Sequence, residues 1–150
     1  MYFREMTAAD VPATFLVRTA AVEHPFSLED LFKFGITVES CIRQLGTTHK
    51  GWVCEINGIV IGFAVGNRST GEMWVVAVLP EYEGRGIGRK LLTLTQDWLW
   101  SQGCETLWLT TGLPPTRAYH LYTKLGWKNV GLLEHGGSIR MELYKPGASA

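Results

Sequence analysis

No segment of this chain is apolar for long enough to cross a bilayer; its apolar runs stop far short of a membrane span. It does not open on the basic-then-apolar pattern of a secretory leader either. An excess of charge is also missing: 14 Lys and Arg balance 14 Asp and Glu, for a formal net charge of +0. Nucleic-acid binders need a basic field against phosphates, so DNA and RNA are set aside as partners. Cysteine is scarce and odd in number, with Cys41, Cys54 and Cys104 and no C-x-x-C spacing. These read as buried thiols of a reducing cytoplasm, not as a disulfide frame or a zinc site. The histidines at 24, 49, 120 and 135 form no H-E-x-x-H or similar pair, so no metal is expected. Repeats, low-complexity tracts and linkers are absent. With 150 residues, 46% of them apolar, the chain reads as one domain over 1–150 with enough apolar surface for a core.

The most informative stretch runs from Val76 to Leu92. An apolar run from Trp74 to Leu79 is stopped by Pro80, followed by the turn Glu81-Tyr82-Glu83 and the alternating glycines of Gly84-Arg85-Gly86-Ile87-Gly88. Arg89-Lys90-Leu91-Leu92 then opens a helix. Glycines let backbone N–H groups approach an anion with no Cβ in the way. The start of the helix adds unpaired N–H donors and the positive end of its dipole. The order strand, glycine turn, helix predicts a pyrophosphate site. The dinucleotide fingerprint G-x-G-x-x-G does not match this spacing, and Gly88 lacks the Lys-Ser/Thr that ends a P-loop.

Along the chain, Tyr2–Met6 reads as a first strand, and Thr7-Ala8-Ala9-Asp10 as a capping box opening a helix to about Ala21. His24-Pro25-Phe26 breaks it. Ser27-Leu28-Glu29-Asp30 caps a second helical segment that Gly35 interrupts, and a further helical turn or two ends at Gly46. Gly51–Ile56 and Ile59–Val65 form a hairpin across Asn57-Gly58. Gly71–Leu79 is a strand, and a helix from about Gly86 to Gln102 carries Ile87, Leu91, Leu94, Trp98 and Leu99 on one face. Glu105–Thr110 reads as a buried strand. Thr116 caps a helix stopped by Gly126, and Trp127–Leu133 with Ile139–Tyr144 make a last hairpin. The order β-α-α-β-β-β-α-β-α-β-β is mixed α/β.

The segment Glu83-Gly84-Arg85-Gly86-Ile87-Gly88 resembles motif A of the GNAT superfamily of N-acetyltransferases, written Q/R-x-x-G-x-G/A, with Glu83 where Gln or Arg is usual. Ala118, Tyr122, Gly126 and Trp127 match the spacing of that family's motif B, N-x-x-A-x-x-x-Y-x-x-x-G-F, with Trp for Phe and Pro115 for Asn. The element order is also that of the GNAT (acyl-CoA N-acyltransferase) fold. The resemblance therefore spans nearly the whole chain. It implies a cytoplasmic enzyme that moves an acetyl group from acetyl-CoA to a primary amine of a small molecule or protein. Cofactor contacts carried over are Val76, Val78, Glu83, Gly84, Arg85, Gly86, Ile87, Gly88, Arg89, Ala118 and Tyr122, with Thr111 or Thr116 standing in for the missing Asn. In the family the strand before motif A parts from its neighbour, and the free backbone of Val76 and Val78 would pair with pantetheine.

Transfer needs an acid for the leaving thiolate and a base for the amine. A thiol pKa of about 8.5 suits the phenol of Tyr122 as general acid. Glu72 stands where histone-acetylating relatives place a general base. His24 and His135 fall in loops that line the acceptor pocket by the same resemblance, and so are alternative bases; Phe26, Phe32 and Phe34 are weighed there between pocket and core. His120 points elsewhere on its helix. The pocket is expected between Val22–Phe34, the start of the Glu72–Val78 strand and the loop Leu133–Ile139. No Cys lies in either motif, which favours direct transfer over a covalent acyl-enzyme. Two alternatives share these motifs: a module that binds acyl-CoA without catalysis, favoured by Glu83 and Pro115, and a transferase of a longer acyl group. The acceptor is not named by the sequence, and homodimerisation stays open.

Overall fold

A computed structural model describes residues 1–20, 27–133 and 136–147. It contains the strands β1 (Tyr2–Glu5), β2 (His49–Ile56), β3 (Ile59–Asn67), β4 (Glu72–Val78), β5 (Thr106–Gly112), β6 (Lys128–Leu132) and β7 (Ser138–Tyr144). The helices are α1 (Val11–Ala20), α2 (Leu28–Lys33), α3 (Val38–Leu45), α4 (Ile87–Ser101) and α5 (Arg117–Lys124). One helix is added to the expected order. Gly35, at φ +77°, ends the segment after Ser27, and Thr37 caps a separate helix by accepting from Ser40 N at 3.1 Å. The hairpin at Asn57-Gly58 follows expectation: both residues have positive φ, 52° and 78°, as a type I′ turn requires.

The strands form a single sheet in the order β1-β2-β3-β4-β5-β7-β6. Neighbours are antiparallel throughout, except that β4 and β5 are parallel. Val53, Phe63, Val65, Val75 and Ala77 bury one face against Val17 of α1. Cys54, Ile61 and Ala64 pack on the other against Ile87 and Leu91 of α4. Close seating of α4 depends on two glycines of β3. A Cβ at Gly66 would stand 2.8 Å from Thr95 Cγ2, and one at Gly62 would stand 3.2 Å from Leu91 Cδ1. Burying each of Ile87, Leu91, Leu92 and Leu99 contributes roughly 1.5–3 kcal/mol. A second core joins α4 and α5 to the far half of the sheet through Leu92, Leu99, Leu107, Leu109, Tyr122, Trp127 and Met141. β5 is not buried throughout; Leu107 and Leu109 alternate with more exposed neighbours. Of the cysteines only Cys54 is buried, while Cys41 and Cys104 are half-buried.

The start of α1 is fixed by charge. The Asp10 carboxylate accepts from Thr7 N at 2.8 Å and from both Nη atoms of Arg4 at 2.8 Å. Arg4 also donates to Glu55 Oε2 at 3.0 Å, which ties β1, α1 and β2 together. The Arg4 guanidinium, with Thr7, holds the Asp10 carboxyl at about 2, below its usual 3.8. A depressed carboxylate contributes stability that is complete above its unfolded pKa and is lost as pH falls through the folded one. Asp10→Asn is therefore expected to lower stability at neutral pH. It should also flatten the acid dependence between about pH 4 and about pH 2, read from denaturant midpoints across that range.

Candidate active site

The two parallel strands in the middle of the sheet hardly pair. Their register consists of Glu72 opposite Trp108, supported by a bond from Trp108 N to Gly71 O at 3.1 Å. Beyond that point β4 stays on β3 and β5 stays on β7, so the two part toward their C-terminal ends. Backbone groups alternate sides along a strand. Leu79 N donates to Ile61 O of β3 at 2.9 Å, so Val76 and Val78 direct their amides and carbonyls the other way, into the gap. By the same alternation from Trp108, Thr110 faces the gap from β5. The result is a cleft of about 600 Å³ between the strands, bounded by α4 and α5.

One end of the cleft is the glycine turn. Gly84 and Gly86 have φ of +78° and +81°, a region that costs a residue with a Cβ. Gly86 is the N-cap of α4, and a Cβ there would meet nothing within 4 Å. Lys90 N is the first amide of α4 to bond back, to Gly86 O at 3.1 Å. The amides of Ile87, Gly88 and Arg89 therefore have no acceptor within the helix. Exposed glycine backbone, a helix start and Arg89 border the same space. Such a surface suits a diphosphate.

The middle of the cleft is walled by α5. Thr116 caps this helix by accepting from Tyr119 N at 3.0 Å. That fixes the helix phase, so Ala118, Leu121 and Tyr122 face the cleft while His120 is exposed. Tyr122 is 7% exposed, with its ring 6.0 Å from that of Trp127, which itself donates to Gln96 Oε1 at 3.0 Å. The phenol thus belongs both to the core and to the cleft wall.

The far end is bordered by Arg18, Met73, Trp74, Leu133, Gly137 and Ser138. Arg18 is buried on α1 and lies over the Trp74 ring at 5.0 Å. Glu72 is half-buried at the start of β4. Burial pushes its carboxyl above the usual range, and Arg140 and Arg18 pull it partly back. Arg140 in turn stacks on Trp108 at 4.5 Å and donates to Glu142 Oε2 at 3.0 Å. Among the described residues no group of three or more His, Cys, Asp or Glu is placed to hold a metal ion.

Residues 15–127 match the family model described as Acetyltransferase (GNAT) family. The chain belongs to that family. The mycothiol acetyltransferase of Tsukamurella paurometabola is 38% identical over 78 residues, covering 49% of this chain and 27% of that protein. An uncharacterized N-acetyltransferase of Methanocaldococcus jannaschii is 27% identical over 99 residues, covering 60% of this chain and 43% of that protein. The chain spans less than half the length of these curated relatives. In structure, the PaiA N-acetyltransferase of Thermoplasma acidophilum in complex with coenzyme A superposes at a TM-score of 0.81, with 16% identity over 97% of this chain and 100% of that one. The ribosomal-protein-S18-alanine N-acetyltransferase of Escherichia coli superposes at 0.75, with 24% identity over 99% and 96%. At these identities the superpositions establish the GNAT fold.

Val76, Val78, Glu83, Gly84, Gly86, Ile87, Gly88, Arg89, Thr111, Ala118 and Tyr122 all border the cleft. Arg85 does not; its guanidinium stacks on the Tyr82 ring at 5.1 Å. Of the two threonines weighed against the missing Asn, Thr111 borders the cleft, while Thr116 caps α5. Glu72 stands just behind the lining residue Met73 and does not itself border the cleft. Phe32 and Phe34 neither line the cleft nor join the core: they are 72% and 60% exposed. His24, Phe26 and His135 lie outside the described residues. Two charged cleft residues escaped the sequence reading. Arg18 sits among Val11, Thr14 and Val17 on the buried stripe of α1, and a cation on an apolar stripe was the available signal. Arg117 occupies the first turn of α5, where a cation opposes the helix dipole.

Proposed function

We propose that this chain transfers an acetyl group from acetyl-CoA to a primary amine by direct attack. The observation that carries the reading is the parting of β4 and β5, which aims the backbone of Val76 and Val78 into a cleft ending on the Gly84–Gly88 turn. An extended thioester arm needs such a rail of free N–H and C=O groups, and its diphosphate needs the amides at the end of it. The first position of motif A is acidic here, but the charge is answered: Arg117 Nε lies 3.3 Å from Glu83 Oε2. Pro115, where the family has Asn, does not border the cleft, whereas Thr111 does.

In this reading β4 N–H groups donate to the carbonyl oxygen as negative charge develops on it. The amine nitrogen forms its bond to the carbonyl carbon and the carbon–sulfur bond breaks. Tyr122 gives its phenolic proton to the departing sulfur. The amine's proton leaves toward Glu72 through water, since Glu72 itself does not border the cleft. A carboxyl raised by burial is a better base near neutrality than an exposed one. The acceptor enters past Arg18, Trp74, Leu133, Gly137 and Ser138, opposite the diphosphate end. No described helix is long and apolar enough to cross a membrane.

Three variants test the reading. Gly86→Val forces a branched residue to positive φ and puts methyls where the diphosphate would approach. Calorimetry should show CoA affinity falling at least tenfold, in line with several lost charge-assisted bonds, and unchanged binding removes the diphosphate from this turn. Tyr122→Phe is expected to leave CoA affinity in place and lower kcat roughly 10²–10⁴-fold. A change below about threefold at every pH would return Tyr122 to the core and leave water as the acid. With an amine found by screening for acetyl-CoA-dependent thiol release, Glu72→Gln should remove the ascending limb of the kcat/KM profile. That limb should lie above the ordinary carboxylate range, because burial raises this carboxyl. An unaltered profile excludes Glu72 as the base.

A further inference from the structure

One face of β5 and β7 is buried: Leu107, Leu109, Ile139 and Met141 belong to the core shared with α4 and α5. By the two-residue period of a strand, Trp108, Thr110, Ser138, Arg140 and Glu142 turn to the opposite face. Thr110 and Ser138 border the acceptor end of the cleft, so the cleft continues onto this face. Arg140 lies opposite Thr110 and two residues beyond Ser138. Its side chain leans back over the Trp108 ring, at 4.5 Å, toward the row in which Glu72 faces Trp108. Burial raises the Glu72 carboxyl, and Arg140 is near enough to pull it partly back. The guanidinium is held in two ways. Trp108 beneath it is fixed by its own Nε1, which donates to Thr70 O at 3.0 Å. Arg140 Nε donates to Glu142 Oε2 at 3.0 Å. Glu142 does not depend on Arg140 alone: its Oε1 accepts from Tyr144 Oη at 3.0 Å, and Lys128 is its neighbour across β6. The two Nη atoms of Arg140 donate to no described residue, and the side chain is 40% exposed. A guanidinium fixed along Nε and on one flat side keeps the planar Nη pair aimed for an anion.

We propose that Arg140 binds a carboxylate of the acceptor, so that the substrate of this site is an amine that also carries a carboxylate. The amine enters the gap between β4 and β5, and the rest of the substrate lies past Thr110 and Ser138 on the open face of the sheet. Two Nη donors match the two oxygens of a carboxylate. The neighbouring acids limit how much charge the ligand can bring. A singly charged carboxylate is offset by the guanidinium. A doubly charged phosphate would face Glu72 and Glu142 with one cation that is already engaged at Nε. The inference rests on the reading of the cleft as an amine acetyltransferase site, and names the acceptor class for it.

The test is acetyl-CoA-dependent thiol release with matched amines: straight-chain ω-amino acids and α-amino acids, each beside its primary amide. Short peptides with Glu or Gln at one position and a blocked C-terminus run in parallel, to tell a free amino acid from an acidic peptide. Wild-type protein should prefer the acid over its amide in kcat/KM by about ten- to a hundredfold in one of these classes, as charge-assisted bonds to a carboxylate predict. Arg140→Gln should lose that preference through the acid's KM, and Arg140→Lys should restore part of it, keeping the charge without the fork. Calorimetry should show CoA affinity unchanged in both variants. Amides used as well as acids by wild-type protein overturn the inference, and so does an aminoalkyl phosphate preferred over the acids. If Arg140→Gln lowers acid and amide by the same factor, Arg140 only supports Trp108 and β7. If the preference survives while the ascending limb moves to higher pH, it acts only on Glu72; either result overturns the inference. Thiol release with neutral amines and none with carboxylated ones overturns it while leaving the transferase reading in place. No thiol release with any amine, from protein that binds CoA, removes the transferase reading and this inference with it.

Discussion

The parting of β4 from β5 is the constraint on which the rest of this structure depends. Two parallel strands at the centre of a sheet ordinarily satisfy each other's backbone along their length. Here they share one register pair, Glu72 with Trp108, and then diverge. Leaving buried N–H and C=O groups without partners costs about 1–3 kcal/mol each, so the gap persists only where solvent or a ligand reaches it. Each side is anchored elsewhere. β4 is bonded to β3 from Glu72 to Val78, and β5 is bonded to β7 from Thr106 to Gly112. The sheet is thus two antiparallel halves joined at a narrow bridge. Separate apolar clusters hold the halves: one set between α1, α4 and β2–β4, the other between α4, α5 and β5–β7. α4 contributes to both and keeps the halves at a fixed spacing.

Much of this was legible locally. Asn57-Gly58, Thr116 and the glycine turn each dictate backbone conformation through their own chemistry, and the structure realises all three. The burial of β4 alternates, with Met73, Val75 and Ala77 buried and Glu72, Trp74, Val76 and Val78 less so, a period that the continuous apolar run from Trp74 to Leu79 does not display. Less legible was the segment after Ser27, where the turns beyond Gly35 form a capped helix of their own, and where Phe32 and Phe34 end exposed. Aromatic residues in a short, poorly periodic segment do not say which face is covered, because six residues make too few turns to define a stripe.

The cleft's charged residues show the limit of local reading more sharply. Glu83 looks unsuited to an anion site when read beside Gly84, since its partner lies on a different helix. Only the packing of α5 against the turn brings Arg117 to 3.3 Å from it. The same holds for Glu72. In sequence it is an acid at a strand start, indistinguishable from a solvated one. In the fold it is half-buried between the fields of Arg18, from α1, and Arg140, from β7, which leaves its carboxyl raised by burial but restrained by two cations. Charge interactions act through space, so neither environment is encoded within a few residues of the acid.

Helix polarity ties the arrangement together. α2 carries Glu29 and Asp30 in its first turn and α3 carries Glu39, so their positive ends are answered from within. α1 follows directly on a turn that ends in the ion-paired Asp10. α4 and α5, whose first turns border the cleft, have no acid there; Arg89 and Lys90 open one, and Arg117 the other. A helix start bearing cations is unfavourable in isolation. Two of them facing one gap are tolerable where the gap admits water or an anion. The parting of the strands supplies that gap, and the helices that follow β4 and β5 necessarily begin at its mouth, because each leaves the C-terminal end of a parted strand. The same topology therefore produces both the strand backbone turned into the gap and the two helix starts, bearing Arg89, Lys90 and Arg117, at its mouth.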